Sequence, residues 1–114
     1  MLVKYKEIFK LKVMLDKADI PYEFRDRSFI NYEEHKLDKP FYQIIVYKPN
    51  DQEERLISVI QGWGTHGEQA DLLEIMGCLT AKEEKDDSVK GWLTAQNVFR
   101  RIKKNYKEDK WNLY

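Results

Sequence analysis

Residues 56–77 read LISVIQGWGTHGEQADLLEIMG, and this stretch decides how the chain is expected to fold. An apolar run, predicted as a strand, enters a turn that contains three glycines. Beyond the turn, residues 68–76 carry apolar side chains at helical spacing, and Gly77 is suited to the left-handed residue that ends a helix. Thr65 stands three residues before Glu68, which is the spacing of a capping box. The stretch therefore predicts a strand, a tight turn and a short helix.

The residues before this stretch predict one helix and two strands. Residues 4–18 have apolar side chains at three- and four-residue steps, as in an amphipathic helix that a proline then ends. Residues 22–27 alternate like a half-buried strand. Residues 41–48, FYQIIVYK, are apolar on both faces, which is typical of a central strand. A turn over 49–53 leads into the strand that begins the 56–77 stretch, so a β-hairpin is predicted.

The remaining segments complete an α+β fold. Residues 28–40 lack a clear period and are interpreted as a loop or an edge strand. Residues 80–83 repeat the capping-box pattern before a brief helical turn, and Thr94 caps a last helix over 95–107. The order α-β-β-β-α-α predicts one domain over residues 1–114: a three-stranded antiparallel β-meander packed with the N-terminal and C-terminal helices.

A self-associating protein is also predicted. Because the strand over 41–48 is apolar on both faces, we expect a second copy of the chain to cover one of them, in a homodimer or a higher homo-oligomer. The C-terminal Trp111, Leu113 and Tyr114 are interpreted either as folding back onto the core or as anchoring a partner.

Composition bounds the class of protein. The 114 residues include 20 basic and 20 acidic side chains, so the net charge is zero, which argues against a protein that coats nucleic acid. The single Cys78 cannot form an intrachain disulfide, and no apolar run is long enough to span a bilayer. We therefore expect a cytoplasmic protein with no membrane contact.

The sequence carries no recognisable catalytic or metal-binding pattern. His35 and His66 are the only histidines, and neither occurs at a metal-ligand spacing. No serine sits in a nucleophile elbow. We expect neither enzymatic activity nor a metal or cofactor.

The turn of the 56–77 stretch is the candidate ligand site. Its glycines would let backbone amides approach phosphate oxygens, its tryptophan would stack on a base, and its histidine or a nearby arginine would meet a phosphate. The alternative is a tight strand-to-helix connection with the tryptophan tucked over the edge of the core. The spacing matches neither the P-loop nor the dinucleotide fingerprint. The predicted ligand-binding residues are Gly62, Trp63, Gly64, His66, Gly67, Arg27 and Arg55.

The last predicted helix has a basic face. Residues 95–110 contain six basic and two acidic side chains. Such a face is either a solvated helix surface or a surface that binds the phosphates of nucleic acid. It lacks base-reading side chains and interleaved aromatics, so nucleic acid is not an expected partner.

Residues 58–102 resemble a family of small proteins from phages and prophages of Gram-positive Firmicutes. The resemblance rests on the strand that ends in a glycine turn, on DLLEIMG followed by Leu79-Thr80, and on Gly91-Trp92-Leu93-Thr94-Ala95. It extends to the N-terminal segment IFKLKVMLDKADIPYEF. No catalytic motif comes with this family.

The resemblance implies a phage accessory protein acting in the host cytoplasm. The function it favours is a non-enzymatic protein that sequesters a nucleotide-type immune signal of the host near Trp63. The alternatives are a protein–protein inhibitor of a host defence protein and a nucleic-acid-binding accessory protein.

Overall fold

The fold is given by a computed structural model, which describes the backbone of residues 5–31 and 36–111 and the side chains of residues 5–28 and 39–108. The described residues form an α+β fold, as predicted. In chain order the elements are α1 (Glu7–Lys17), β1 (Glu23–Asp26), β2 (Phe29–Asn31), β3 (Lys36–Lys39), β4 (Phe41–Lys48), β5 (Asp51–Gly62), a 3-10 turn (Glu68–Ala70), β6 (Leu73–Met76), α2 (Ala81–Asp86), β7 (Lys90–Leu93) and α3 (Ala95–Trp111).

The strands form one large antiparallel sheet and one small hairpin. The sheet has five strands in the order β1-β4-β5-β6-β7, and β2 pairs only with β3. The three predicted strands are present as the adjacent strands β1, β4 and β5. The predicted three-stranded meander is nevertheless not the whole sheet, because β6 and β7 extend it to five strands. Strand β7, KGWL, contains a glycine and is only four residues long, so nothing in its own composition distinguishes it from a loop. It becomes a strand by pairing with β6.

The core lies between one face of the sheet and the helices α1 and α3. The fully buried side chains of α1 are spaced by three and four residues, as predicted for its apolar stripe. They meet a row of strand residues aligned across the sheet, in which Ile44 of β4 pairs with Val59 of β5 and Val59 pairs with Ile75 of β6. Burying each such side chain contributes about 1.5–3 kcal/mol. The fully buried core comprises Ile8, Leu11, Leu15, Ile44, Val46, Val59, Leu73, Ile75, Val98 and Ile102.

Strand β4 is central, as predicted, and its second face is buried within one chain. Ile45 is 0% exposed although it does not face the helices. It lies between Glu23 of β1 and Ser58 of β5 in the register of the sheet. Gln43, two residues away, is also buried and donates a hydrogen bond to Ser58 Oγ at 2.9 Å. A second copy of the chain is therefore not needed to bury this strand.

The predicted helix over 68–76 was wrong. A single 3-10 turn is followed by Asp71 in a left-handed conformation (φ 55°), and residues 73–76 then form strand β6. The buried side chains are Leu73 and Ile75, which alternate, whereas Met76 is 56% exposed. The open edge of β5 supplies hydrogen-bond partners for a strand, and this outweighs the weak stability of a nine-residue helix.

The capping box predicted for Thr65 and Glu68 was also wrong. Thr65 Oγ1 accepts a hydrogen bond from Gly62 N and donates one to Gly62 O, at 3.1 and 2.8 Å. Glu68 instead accepts a hydrogen bond from the Tyr5 hydroxyl at 2.9 Å. The second predicted capping box is confirmed, with Thr80 and Glu83 bonded reciprocally at the start of α2.

Long-range hydrogen bonds tie the segment after β5 to the helices. The first turn of α1 has no local side-chain cap, and Asp71 Oδ1 takes that role by accepting a hydrogen bond from Lys6 N at 2.9 Å. Buried Gln61 accepts from Ile8 N at 3.0 Å and donates to Asp71 Oδ1 at 2.6 Å. Residues 61–71 are thus held in place by the start of α1.

The remaining predictions for the helices concern the cap of α3, a membrane span and the C-terminal side chains. Thr94 caps α3 as predicted, since its Oγ1 accepts a hydrogen bond from Asn97 N at 3.1 Å. No helix in the described ranges combines the length and apolar composition that crossing a bilayer requires. The predictions for the side chains of Trp111, Leu113 and Tyr114 lie outside the described residues.

Candidate functional site: a depression with two exposed tryptophans

The turn after β5 and strand β7 together line a depression of about 400 Å³. Trp63 lies in the turn and Trp92 lies in the strand, and their exposed fractions are 62% and 61%. Tryptophan is buried for most of its surface in folded proteins, so two exposed indoles around one depression mark a surface available for contact. The lining residues are Trp63, Gly64, Thr65, His66, Gly67, Glu68, Gln69 and Trp92.

Close backbone contact brings the two tryptophans to one place. Trp92 N donates a hydrogen bond to His66 O at 3.3 Å. Gly91 lies so close to the turn that a β-carbon there would be 2.3 Å from His66 Cβ. A β-carbon on Gly67 would likewise be 2.9 Å from Trp92 N. Only glycine fits at these two positions, so they allow the turn to dock directly on β7.

Trp92 has a strained backbone. Its φ is 60°, in the left-handed region that bulky side chains rarely occupy. The conformation persists because the turn and the pairing of β7 with β6 constrain the chain on both sides. Strain of this kind concentrates at ligand-contacting positions. Here it accompanies an indole that faces solvent rather than the core.

Three basic side chains lie at or near the depression. Lys39, at the end of β3, places Nζ 4.3 Å from the centroid of the Trp63 ring, a cation–π contact. His66 has an exposed side chain, and its Nδ1 is 3.0 Å from Glu74 Oε1. Arg27 N donates to Phe41 O, and Phe41 pairs with Gly62. Arg27 is therefore two strand spacings, about 10 Å, from the start of the turn.

Arg55 is not brought to this site. It precedes Trp63 by eight residues on β5, which corresponds to about 25 Å along an extended strand. It lies instead opposite Tyr47, near the other end of the sheet. A sequence pattern places residues on a strand but does not tell which end of it a ligand meets.

The predicted glycines divide into two groups. Gly62 N is already bonded to Thr65 Oγ1, and a β-carbon on Gly62 would be 2.6 Å from the Phe41 ring, so this glycine supports the turn. Gly64 and Gly67 line the depression itself. Among the described residues, no protein group accepts a hydrogen bond from the amide of either one. Gly64 is exposed, so its amide can be offered to a ligand, whereas Gly67 is buried where the turn contacts β7.

The acidic residues of this segment all have partners in the protein. Asp71 caps α1, and Glu74 Oε1 accepts a hydrogen bond from His66 N at 2.9 Å. Glu68 is bonded to Tyr5, whose pKa is raised by burial and then by that hydrogen bond, so its hydroxyl remains a donor. The negative charge that the sequence places beside the turn is therefore partly compensated by donors from elsewhere in the fold.

Two residues at the site were not predicted, Trp92 and Lys39. The sequence contains a signal for Trp92, because Gly91-Trp92 repeats the Gly62-Trp63 pair, but only the pairing of β7 brings the two together. Nothing in the sequence connects Lys39 to Trp63. Within the described ranges, no cluster of three His, Cys, Asp or Glu side chains is arranged to hold a metal ion.

Comparison of the chain with protein-family models, with curated proteins and with solved structures finds no match.

Proposed function

We propose that this protein is a non-enzymatic binding module that holds a nucleotide-type ligand in the depression between Trp63 and Trp92. The observation that supports this most strongly is that two indoles, each more than 60% exposed, line one depression of about 400 Å³. Aromatic side chains that face solvent at close range are the usual platform for planar bases.

The surrounding groups suit the remaining parts of a nucleotide. Stacking of a base on an indole contributes about 1–3 kcal/mol. Lys39 Nζ lies against the Trp63 ring, so its positive charge is close to any ligand that stacks on this tryptophan. The exposed amide of Gly64 offers a donor to phosphate oxygens. The backbone of Arg27 lies about 10 Å away, and its guanidinium donates to Gln43 in the folded protein.

The resemblance of the sequence to phage proteins suggests which nucleotide is bound and where. We propose that the protein sequesters a nucleotide-type immune signal of the host in the host cytoplasm, as a homodimer or a higher homo-oligomer. The depression is shallow, and a second copy set against it would enclose a ligand more fully.

A fluorescence titration tests the binding site. Trp111→Phe leaves Trp63 and Trp92 as the only tryptophans, so quenching then reports on the depression. A panel of linear and cyclic nucleotides is added, and native mass spectrometry identifies any adduct by its mass. We expect saturable quenching, and a loss of affinity of about tenfold or more in Trp63→Ala and in Trp92→Ala.

Met76→Ala is the matched control, because it removes another exposed apolar side chain from the neighbouring strand β6. Its affinity is expected to stay within about twofold of the parent protein. Absence of an adduct across the panel, or an equal loss of affinity in all three variants, would reject the proposal.

A second candidate function is inhibition of a host protein. The observation in its favour is that Met76 and Trp92, on the neighbouring strands β6 and β7, are 56% and 61% exposed. Exposed apolar side chains grouped on one surface are typical of protein–protein contacts. Crosslinking in a host lysate distinguishes the two candidates, because an inhibitor retains one defined partner after nucleotides are removed.

A further inference from the structure

The solvent side of α3 carries four basic residues in a line. Arg100, Lys103, Lys104 and Lys107 follow the helical spacing of three and four residues, so they share one face. All four are exposed. Over seven residues the helix rises about 10 Å, which is the length of this basic face. It lies beside two shallow grooves that the same residues help to line.

Within residues 5–28 and 39–108, no side chain neutralises the charge of these four residues. Among the described residues, no carboxylate lies within ion-pair distance of any of them. Lys103 Nζ lies 5.6 Å from the centroid of the Phe99 ring, and that contact leaves its charge intact. Glu108 lines a groove with Arg100 and Lys104 without pairing with either.

Arg101 provides the contrast within the same helix. Its guanidinium donates to both carboxylate oxygens of Glu83, at 2.7 and 2.9 Å, and to Cys78 O at 3.1 Å. This arginine is committed to the fold. The four residues of the basic face have no such bonds to any side chain that the structure describes, so their charge is available to a partner.

The zero net charge of the chain does not cancel this face. Three acidic residues of the acidic stretch over 68–87 already have partners: Asp71 caps α1, Glu74 is bonded to His66, and Glu83 is bonded to Arg101. Charge is therefore separated in space although it sums to zero over the sequence. A partner that approaches α3 meets a local surplus of positive charge.

We infer that the basic face of α3 binds the phosphate backbone of nucleic acid. One DNA strand carries a phosphate about every 3.4 Å of duplex axis, so about 10 Å of duplex presents three phosphates of one strand to these four cations. A membrane surface fits less well. Helices that lie on lipid insert an apolar face, and here Ala95, Val98 and Ile102 are buried in the core.

This inference is independent of the nucleotide site, because it rests on different residues on another element. It also predicts a different kind of binding. Phosphate contacts without base contacts give affinity that depends on salt and little on sequence.

Fluorescence anisotropy with short labelled DNA duplexes of unrelated sequence tests the inference. Three to four phosphate contacts predict that log Kd rises with log salt with a slope of about 3, or roughly 60-fold between about 50 and about 200 mM salt. The variant R100Q/K103Q/K104Q/K107Q is expected to lose this binding and most of the salt slope. The matched control, K17Q/K82Q/K85Q/K90Q, removes four exposed lysines from other elements and gives the same net charge.

The control separates a local site from general charge. Binding retained by the control and lost by the α3 variant supports the inference. Equal loss in both variants, no binding at about 50 mM salt, or a slope near zero would overturn it. The double variant R100Q/K104Q covers the case in which the fourfold variant does not fold, and it must reduce the slope by about 2. Stronger binding to anionic vesicles than to DNA would also overturn the inference.

Discussion

Trp92 combines a left-handed backbone, with φ 60°, and an indole that is 61% exposed. In this conformation a non-glycine residue costs about 1–2 kcal/mol relative to the right-handed regions. An exposed side chain recovers little of that through burial. At the scale of the residue, the position is therefore poor for stability, and a ligand contact would account for a tryptophan there.

Replacing Trp92 by glycine tests this reading through stability. Because glycine adopts positive φ without strain, Trp92→Gly is expected to change the free energy of unfolding by less than about 1 kcal/mol in either direction. Trp63→Gly is the matched control, since Trp63 is equally exposed but has no positive φ. It is expected to cost about 1–2 kcal/mol, from added chain flexibility and loss of the Lys39 contact.

Urea denaturation of the two variants supplies the measurement. The comparison removes the common effect of losing an exposed indole and leaves the effect of backbone conformation. A larger destabilisation from Trp92→Gly than from Trp63→Gly would mean that Trp92 stabilises the fold by its packing, and the argument from strain would then be wrong.

At the scale of the element, α2 depends on its contacts with α3. Six residues are too few for a helix to be stable alone. Thr80 and Glu83 form a reciprocal cap at its start, and Glu83 also binds Arg101 of α3 through two hydrogen bonds. The side chains of Glu83 and Arg101 are only about a fifth exposed, at 19% and 20%. The pair therefore holds α2 to the rest of the molecule.

The Glu83–Arg101 pair predicts a dependence of stability on pH. The hydrogen bonds from Arg101, followed by that from the Thr80 backbone, lower the pKa of Glu83 from 4.5 to about 2. A lowered pKa in the folded state means that the stabilisation is complete above about pH 4.5 and is lost as the pH falls toward 2. Glu83→Gln is expected to cost about 2 kcal/mol at neutral pH, and this difference from the wild type shrinks over that range.

Denaturant titrations at several pH values check the expectation. Glu84→Gln is the control, because Glu84 is the exposed neighbour of Glu83 and forms no ion pair among the described residues. It should change stability by less than about 0.5 kcal/mol at any pH. A cost of Glu83→Gln that stays constant down to about pH 2 would show that the ionised carboxylate is not what stabilises α2.

At the scale of the whole molecule, the two faces of the sheet are buried by different means. Helices α1 and α3 cover one face with an apolar core. On the other face, Arg27 Nη1 donates to Gln43 Oε1 at 3.3 Å, and Gln43 Nε2 donates to Ser58 Oγ. This chain of hydrogen bonds joins the residue that follows β1 to β4 and β5, and it helps to bury β4 without a further layer.

Native mass spectrometry at low micromolar concentration tests whether one chain suffices. Because Gln43 and Ile45 are buried within a single chain, we expect the apo protein to give the mass of one chain, and the homo-oligomer of the proposed function to form only when a ligand is bound. A variant that exposes this face more, Arg27→Ala, serves as the comparison and is expected to self-associate more readily. A dimer mass for the apo wild type would contradict this expectation and would favour the prediction that a second copy covers one face of β4.

Much of this fold was predictable from local patterns. Helices α1 and α3 repeat a helical periodicity, and β4 is an apolar run of eight residues followed by a turn and a second apolar run, so many positions support each assignment. The capping box of α2 was predictable because the Thr80–Glu83 spacing lets each side chain bond to the backbone of the other residue at the start of a helix. For the site, the sequence identified the turn with Trp63, Gly64, His66 and Gly67, because adjacent glycines and an aromatic residue are visible without a fold.

The sequence by itself determined an α+β domain with a central apolar strand, two amphipathic helices and a glycine turn that carries a tryptophan. The tertiary structure alone decided that residues 73–76 form a strand, that β7 joins the sheet, and that Trp92 and Lys39 meet Trp63. The physical reason is that a short segment takes the conformation for which its neighbours supply partners. Strand β6 pairs with the open edge of β5, and β7 pairs with β6. The pairing of β7 places Trp92 beside the turn that carries Trp63.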